Sequence, residues 1–561
     1  MSTLFSRTLL AAFVAVLFCL APAVATAQGP GAGQGATTLT TFQTDDFSGS
    51  GVCAMCHSGL TDQDNPPKDV SNDAHWRSTM MANAAKDPLW QAKISSEVDR
   101  NPQVKSVIEG KCSRCHMGMA RYQAVTDNTP VEVLDQGFLD RNHYLHEAAM
   151  DGVSCTLCHQ VQPKYLGTPD SYTGKYAIET VTSPPNRLIF GPYLNPFGNP
   201  MQQSSGFDPA FGEQIESSAH CGSCHTLYTP VLDVNGSPIP VPGTDPVEYT
   251  EFPEQTTYLE WEHSGVADRC QDCHLPEAVG SVKISNRPPR LARRAPFWQH
   301  HFAGGNSYMV GLLKDNAGDL GVTADAVHLG DTIDRTQALL WDKTAGLTLA
   351  TERLGDLLTV TVDVVNYAGH KLPSGLPSRR AWLHLLVTDD SNTVVFESGK
   401  PAGDGSIEGN DADQDLAAWE PHHRIITSPE QVQIYEPIMR TYEGGVTYTL
   451  LRAYEYAKDN RLLPEGFNKH NAVADIAVYG DAARDPDFVG GSDQVVYEID
   501  ISTVTETLKV TAELLYQTLS YPFVTDLALT ENDALVDLFM RMYDPAANKE
   551  EVLSKIEIIV Q

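Results

Sequence analysis

The sequence predicts a multidomain α+β chain, in which helical pieces and loops precede an antiparallel β-sandwich-like domain. Three observations predict it. At 561 residues the chain is too long for a single core. Ten of its 11 cysteines lie between Cys53 and Cys273, and much of 160–213 within that region is rich in Pro, Gly and Asn. From about residue 346 the texture changes to strand-length segments with period-two alternation.

Residues 1–27 read as a secretory signal. Arg7 supplies the positive charge, the run from Leu9 to Leu20 is too short for a stable span, and Ala25-Thr26-Ala27 is a cleavage site. Phe18, bulky and directly before Cys19, argues against a lipid anchor. Residues 28–48 read as a flexible leader. No later stretch reaches 18 apolar residues, so no membrane span is expected and the mature chain should be periplasmic or extracellular. The formal net charge of −33 excludes nucleic acid as a partner and favours a cationic docking surface on any protein partner.

The remaining cysteines form five pairs, each closed by a histidine: Cys53, Cys56 and His57; Cys112, Cys115 and His116; Cys155, Cys158 and His159; Cys221, Cys224 and His225; Cys270, Cys273 and His274. A disulfide needs no such histidine, and a zinc site does not oblige each half to end in Cys-His. C-x-x-C-H is the attachment pattern of c-type haem. Its thiols span the two vinyl groups on one porphyrin edge, and the adjacent imidazole binds the iron. Five covalently bound haem c groups are therefore expected, with His57, His116, His159, His225 and His274 as proximal ligands.

Residues 49–280 then form a pentahaem cytochrome c domain. A compact body of that length has a radius of gyration of about 17 Å, so neighbouring haem centres lie at most about 20 Å apart. Helices are expected over 75–86 behind an Asp73 cap, from Pro88 behind an Asp87 cap, and over 141–150. Residues 281–345 read as a helical connector with a helix near 308–314. Residues 346–561 read as the β-sandwich-like domain, with Leu358, Val360, Val362 and Val364 on one face of a strand, another strand over GVTYTLLRAYEYA, and a helix near 531–543 closing the chain.

Electron-carrying haems usually hold a second axial ligand. His75, His146, His220, His301 and His370 are the candidates for that role, with His143, His263 and His300 in reserve. His370 would make the β-rich domain donate a ligand to the haem domain. Arg287, Arg290, Arg293 and Arg294, with Arg379 and Arg380, form basic clusters in an acidic chain, and pairing with haem propionates is favoured over a docking role.

The segments AHWRSTMMANAAKDPLW, EGKCSRCHMGMA, DGVSCTLCHQ, HCGSCHTLYTP, CQDCHLP, HHFAGGNSYMVGLL and GHKLPSGLPSRRAWLHL resemble those of exported multihaem c-type cytochromes related to the tetrahaem cytochrome that accepts electrons from hydroxylamine oxidoreductase. The resemblance implies electron transfer through bis-histidine haems, with distal roles for His75, His146, His301 and His370. Five motifs and a long β-rich region depart from that small carrier, so its partner does not carry over.

The expected function is an exported pentahaem electron carrier, rather than an enzyme, working between a redox protein donor and acceptor. Two alternatives remain: an oxidoreductase acting on a small nitrogen or sulfur compound at one five-coordinate haem, and a subunit of an extracellular cytochrome filament or other oligomer.

Overall fold

The computed structural model describes residues 39–504, 506–543 and 549–561; the signal segment and most of the leader lie outside them. The first motif occupies the helix Ser50–His57, and the second ends the helix Lys105–His116. Between them runs Pro88–Arg100, where Asp87 accepts a hydrogen bond from the Leu89 amide at 2.9 Å and Pro88 fills the first turn. The third motif lies at the one-turn helix Cys155–Cys158, the fourth begins in Ser218–Gly222, and the fifth is Cys270–His274. A two-stranded hairpin, Val282–Lys283 with Arg293–Arg294, follows.

Two sheets build the C-terminal half. One orders its strands Ile425–Ile426, Ser492–Asp500, Leu357–Asn366 and Ala345–Leu354. The other orders Val394–Ser398, Arg380–Asp389, Leu508–Gln517 and Glu550–Val560, with Ile434–Tyr435 also on Arg380–Asp389. Alternation decides which faces meet: Leu358, Val360, Val362 and Val364 of one sheet and Leu385, Val387, Val510 and Leu514 of the other are fully buried in one shared core. Pairing is antiparallel except where Ile425–Ile426 runs parallel to Ser492–Asp500.

The motif-bearing region and the β-rich region belong to one compact unit, Gly33–Gln561. Leu89 and Ala92 of Pro88–Arg100 share a cluster with Phe523 and Val524 of the helix Tyr521–Ala528 and with Phe539 of Ala534–Met542. Arg100 adds an ion pair to Asp526 at 2.7 Å. No helix of the described residues is long and apolar enough to cross a membrane.

Several expected elements differ. Part of the leader is packed: Leu39 and Phe47 are buried, and Gly49 and Gly51 donate backbone hydrogen bonds to Phe42 and Thr40. The helix expected over 75–86 is Asn72–Arg77 instead, because the Ser78 and Thr79 hydroxyls take the carbonyls of Ala74, His75 and Trp76. The one expected over 141–150 is His146–Met150; Asp140 binds the Asn142 amide at 3.0 Å and holds a turn there. The connector carries two further helices, Ala317–Leu320 and Ala326–Lys343, after Ser307–Asp315. Thr447 and Thr449 hold local hydrogen bonds, so the strand expected over GVTYTLLRAYEYA shortens to Ala453–Asp459. The helix expected near 531–543 is Ala534–Met542, and a strand not expected from the sequence, Glu550–Val560, follows it.

Candidate haem-binding site

All ten described cysteines are free, and all but Cys273 are half-buried. The helical turn under each of the first, second, third and fifth motifs puts its two thiols, three residues apart, on one side. The motifs also meet one another. The Cys53 thiol neighbours that of Cys155, Cys115 that of Cys224, Cys221 that of Cys270, and Cys158 that of Cys224. Their spatial order is therefore first, third, fourth and second, with the fifth branching from the fourth.

The thiols are poor candidates for dithiol redox chemistry, which needs a stabilised thiolate. Burial pushes the Cys112 thiol up, and that of Cys158 up to about 12. Cys224 and Cys270 are exceptions: the neighbouring Cys115 thiol lowers the first, and the neighbouring Cys221 thiol lowers the second to about 7. Nor do cysteines converge with histidines as zinc ligands. Among the described residues, the one group whose ligand atoms converge is His422, Asp485 and Asp493. There the His422 Nδ1 accepts amide donors from Gln433 at 2.8 Å and Asn460 at 3.1 Å, so its proton sits on Nε2 and is donated to Asp485 at 3.2 Å. That group is a closed polar network.

The motif histidines carry the opposite pattern. Nδ1 donates to a backbone carbonyl in His57 (Ile284, 2.7 Å), His116 (Ala84, 3.0 Å), His159 (Phe190, 2.6 Å) and His274 (Ala303, 2.6 Å). This fixes the tautomer with a lone pair on Nε2, the arrangement of a metal-ligating imidazole. Desolvation lowers all four pKa values, that of His116 to about 4, so the rings are neutral at pH 7. Trp90 stacks on His116 with ring centres 4.5 Å apart and planes 9° apart. His225 is exposed by area, yet desolvation lowers its pKa to about 4. His274, Arg379 and His370 lie near it. These donors fit haem c: paired free thiols beside an imidazole that in four motifs is neutral with a free Nε2.

The other histidines separate by what their nitrogens do. The His300 ring centre lies 6.3 Å from that of His159, with planes 28° apart. Two imidazoles on opposite sides of one metal, each bonded at about 2.0–2.1 Å, have ring centres about 6 Å apart. At that separation His159 and His300 would be able to hold one iron between them, and the His300 Nδ1 donates to the Trp298 carbonyl at 3.2 Å, which leaves its Nε2 free. His301 instead meets His75 edge to face at 4.5 Å, too close for the two to flank one iron. His75 is buried, and desolvation with neighbouring His301 takes its pKa to about 2. The Nδ1 atoms of His75 and His220 are buried without a hydrogen-bond partner. His146 donates from Nδ1 to the Phe138 carbonyl at 2.9 Å, which frees Nε2. In His143 the Nδ1 accepts from the Leu145 amide, and in His263 the Nε2 is tied to the Asn468 carbonyl.

His370 sits in the loop between Leu357–Asn366 and Arg380–Asp389, where its Nδ1 donates to the Lys371 carbonyl at 2.9 Å and both His225 and His274 are neighbours. A buried ionic network lies beneath it. Lys371 pairs with Asp459 at 2.7 Å, and Arg461 pairs with Asp459 at 2.8 Å and Glu260 at 2.9 Å. Glu260 also accepts from the Lys371 amide and the Ser374 hydroxyl, which ties the loop to the helix Thr257–Glu262. Sequence reasoning missed this network, because its members lie up to 201 positions apart (Glu260 and Arg461). Arg379 stands near His225, where a propionate role is open to it. Arg380 does not: it is fully buried and pairs with Asp413 at 2.8 Å.

No protein-family model matches the chain, and no curated protein is similar to it. The fold is similar to the crystal structure of a penta-heme cytochrome c552 from Thermochromatium tepidum, with a TM-score of 0.50 over 91% of this chain and 98% of that one. The two sequences are 16% identical over the match, so what the chain shares with that cytochrome is its fold.

Proposed function

We propose that this chain is an exported pentahaem c-type cytochrome that passes electrons along closely spaced, mainly bis-histidine haems. One observation carries the reading: five Cys-x-x-Cys-His sites, four of which have the imidazole Nδ1 anchored to a backbone carbonyl with Nε2 left free. Haem c bound at these cysteines supplies reversible one-electron chemistry at iron. The chain would attach it through ten thiols, and in four motifs a backbone carbonyl orients the imidazole Nε2 while desolvation keeps the ring neutral. His159 and His300, with ring centres 6.3 Å apart, would hold one iron between them; His75, His146, His220, His301 and His370 would supply further imidazoles. The A-x-A signal and the use of every mature cysteine in haem motifs support a periplasmic or extracellular location.

A specific arrangement favours a second reading at one site. His370 is the further imidazole near both His225 and His274, and it can serve one of them. The other iron would then keep an open position, as a reductase requires.

Pyridine haemochrome stoichiometry with electron paramagnetic resonance of the oxidised protein tests both. Five haems, all low-spin, support the carrier. A high-spin haem that binds carbon monoxide or nitrite supports the second reading, and fewer than five haems refutes the first.

A further inference from the structure

The basic hairpin after the fifth motif is built into the site of the first. Ile284 gives His57 its carbonyl, and Asn286 bonds the Cys56 carbonyl at 2.8 Å and that of Ser58 at 2.9 Å. From this anchored strand project Lys283, Arg287, Arg290 and Arg293, all exposed and none in an ion pair among the described residues. Their side chains find at most carbonyls: Lys283 reaches Pro289 and Arg293 reaches Ser281.

Arg294 turns the other way. It bonds the Asn195 carbonyl at 3.3 Å and lies over the Tyr193 ring at 5.8 Å. Asn195 is flanked by Leu194 and Phe197, which are 63% and 60% exposed. The same segment begins at Phe190, the residue that anchors His159. One surface thus joins uncompensated cations to exposed apolar side chains and stands over the ligands of two candidate haems. Arginine beside aromatic and aliphatic groups is the composition of a protein interface.

We propose that this surface docks an acidic protein electron carrier. The proposal rests on the electron-transfer reading and adds to it a second docking face, opposite in sign to the rest of the chain. The carrier's reduced centre gives up one electron, an oxidised iron at the first or third motif takes it, and no bond is made or broken. Global and local charge predict opposite behaviour here. A net charge of −33 repels an acidic carrier, so salt should strengthen the encounter; attraction at the hairpin makes salt weaken it.

The test uses the full holoprotein and an acidic plant-type [2Fe–2S] ferredoxin as probe. Biolayer interferometry measures binding without electron transfer, and stopped-flow absorbance measures reduction. R287E/R290E/R293E is compared with the equal charge change K400E/R484E/K509E on the β-rich region. The expected result is binding that weakens with salt and falls about tenfold or more in the hairpin variant, while the control stays within about twofold. Binding that strengthens with salt, or an equal loss in both variants, overturns the proposal. So does a hairpin variant that shifts a haem midpoint potential but binds normally, because those arginines would then serve propionates. Haem count and reduction by dithionite are read first; their failure would overturn the carrier reading itself, and is thereby told apart from failure of the docking face.

Discussion

The imidazoles of His159 and His300 have ring centres 6.3 Å apart and planes 28° apart, while the adjacent His301 packs edge to face on His75 at 4.5 Å. His300→Ala should therefore convert one low-spin haem to high-spin, seen as a new signal in electron paramagnetic resonance and as carbon monoxide binding. His301→Ala should leave the iron of His159 six-coordinate. If the two variants exchange these outcomes, the pairing is wrong.

That contrast marks where the sequence stops being legible. Five motifs and a surplus of histidines point to the chemistry, but His300 and His301 are neighbours in one peptide. Their choice is made by the backbone, through a turn in which the His301 amide bonds the Gln299 carbonyl and Phe302 takes φ of 44°. Local signals do better where local physics suffices. The Asp87-Pro88 pair starts a helix, and alternating Leu358, Val360, Val362 and Val364 are all buried. The last strand was hidden for the opposite reason. Glu550–Val560 opens on two glutamates and gains its strand character from pairing with Leu508–Gln517 some 40 residues earlier, a contact no local window contains.

His370 joins the β-rich region to the motif region. His370→Ala should remove an axial ligand from the haem of His225 or His274, with a high-spin signal and a shifted midpoint for that one haem. Spectra identical to wild type would mean that His370 is only a polar turn residue.

Beneath it, Arg461 bridges Asp459 and Glu260 with almost no solvent contact. Burial alone would raise the Asp459 pKa, but Arg461 and Lys371 bring it down to about 2. Arg461→Met leaves two carboxylates to share Lys371, and breaking a buried pair costs about 3–5 kcal/mol. The guanidinium midpoint of the variant should fall accordingly, and a change below about 1 kcal/mol would show that the network is not stabilising.

Glu254 works in the other direction. It is buried on the strand Glu251–Gln255, and desolvation together with nearby Glu97 holds its pKa up at about 7, against the opposing pull of Gln255, Lys93 and Lys111. Its proton is bound more tightly in the folded than in the unfolded chain. The stability this confers is complete below the ordinary glutamate range, is lost as pH rises from about 4.5 to about 7, and changes little above that. Carrying the charge at pH 8 costs on the order of 3 kcal/mol. Glu254→Gln keeps the shape and removes the charge, so the variant should match wild type near pH 4.5 and exceed it at pH 8. Guanidinium unfolding at the two pH values reads the difference directly, and parallel pH profiles for variant and wild type would show that Glu254 is already solvated in the folded protein.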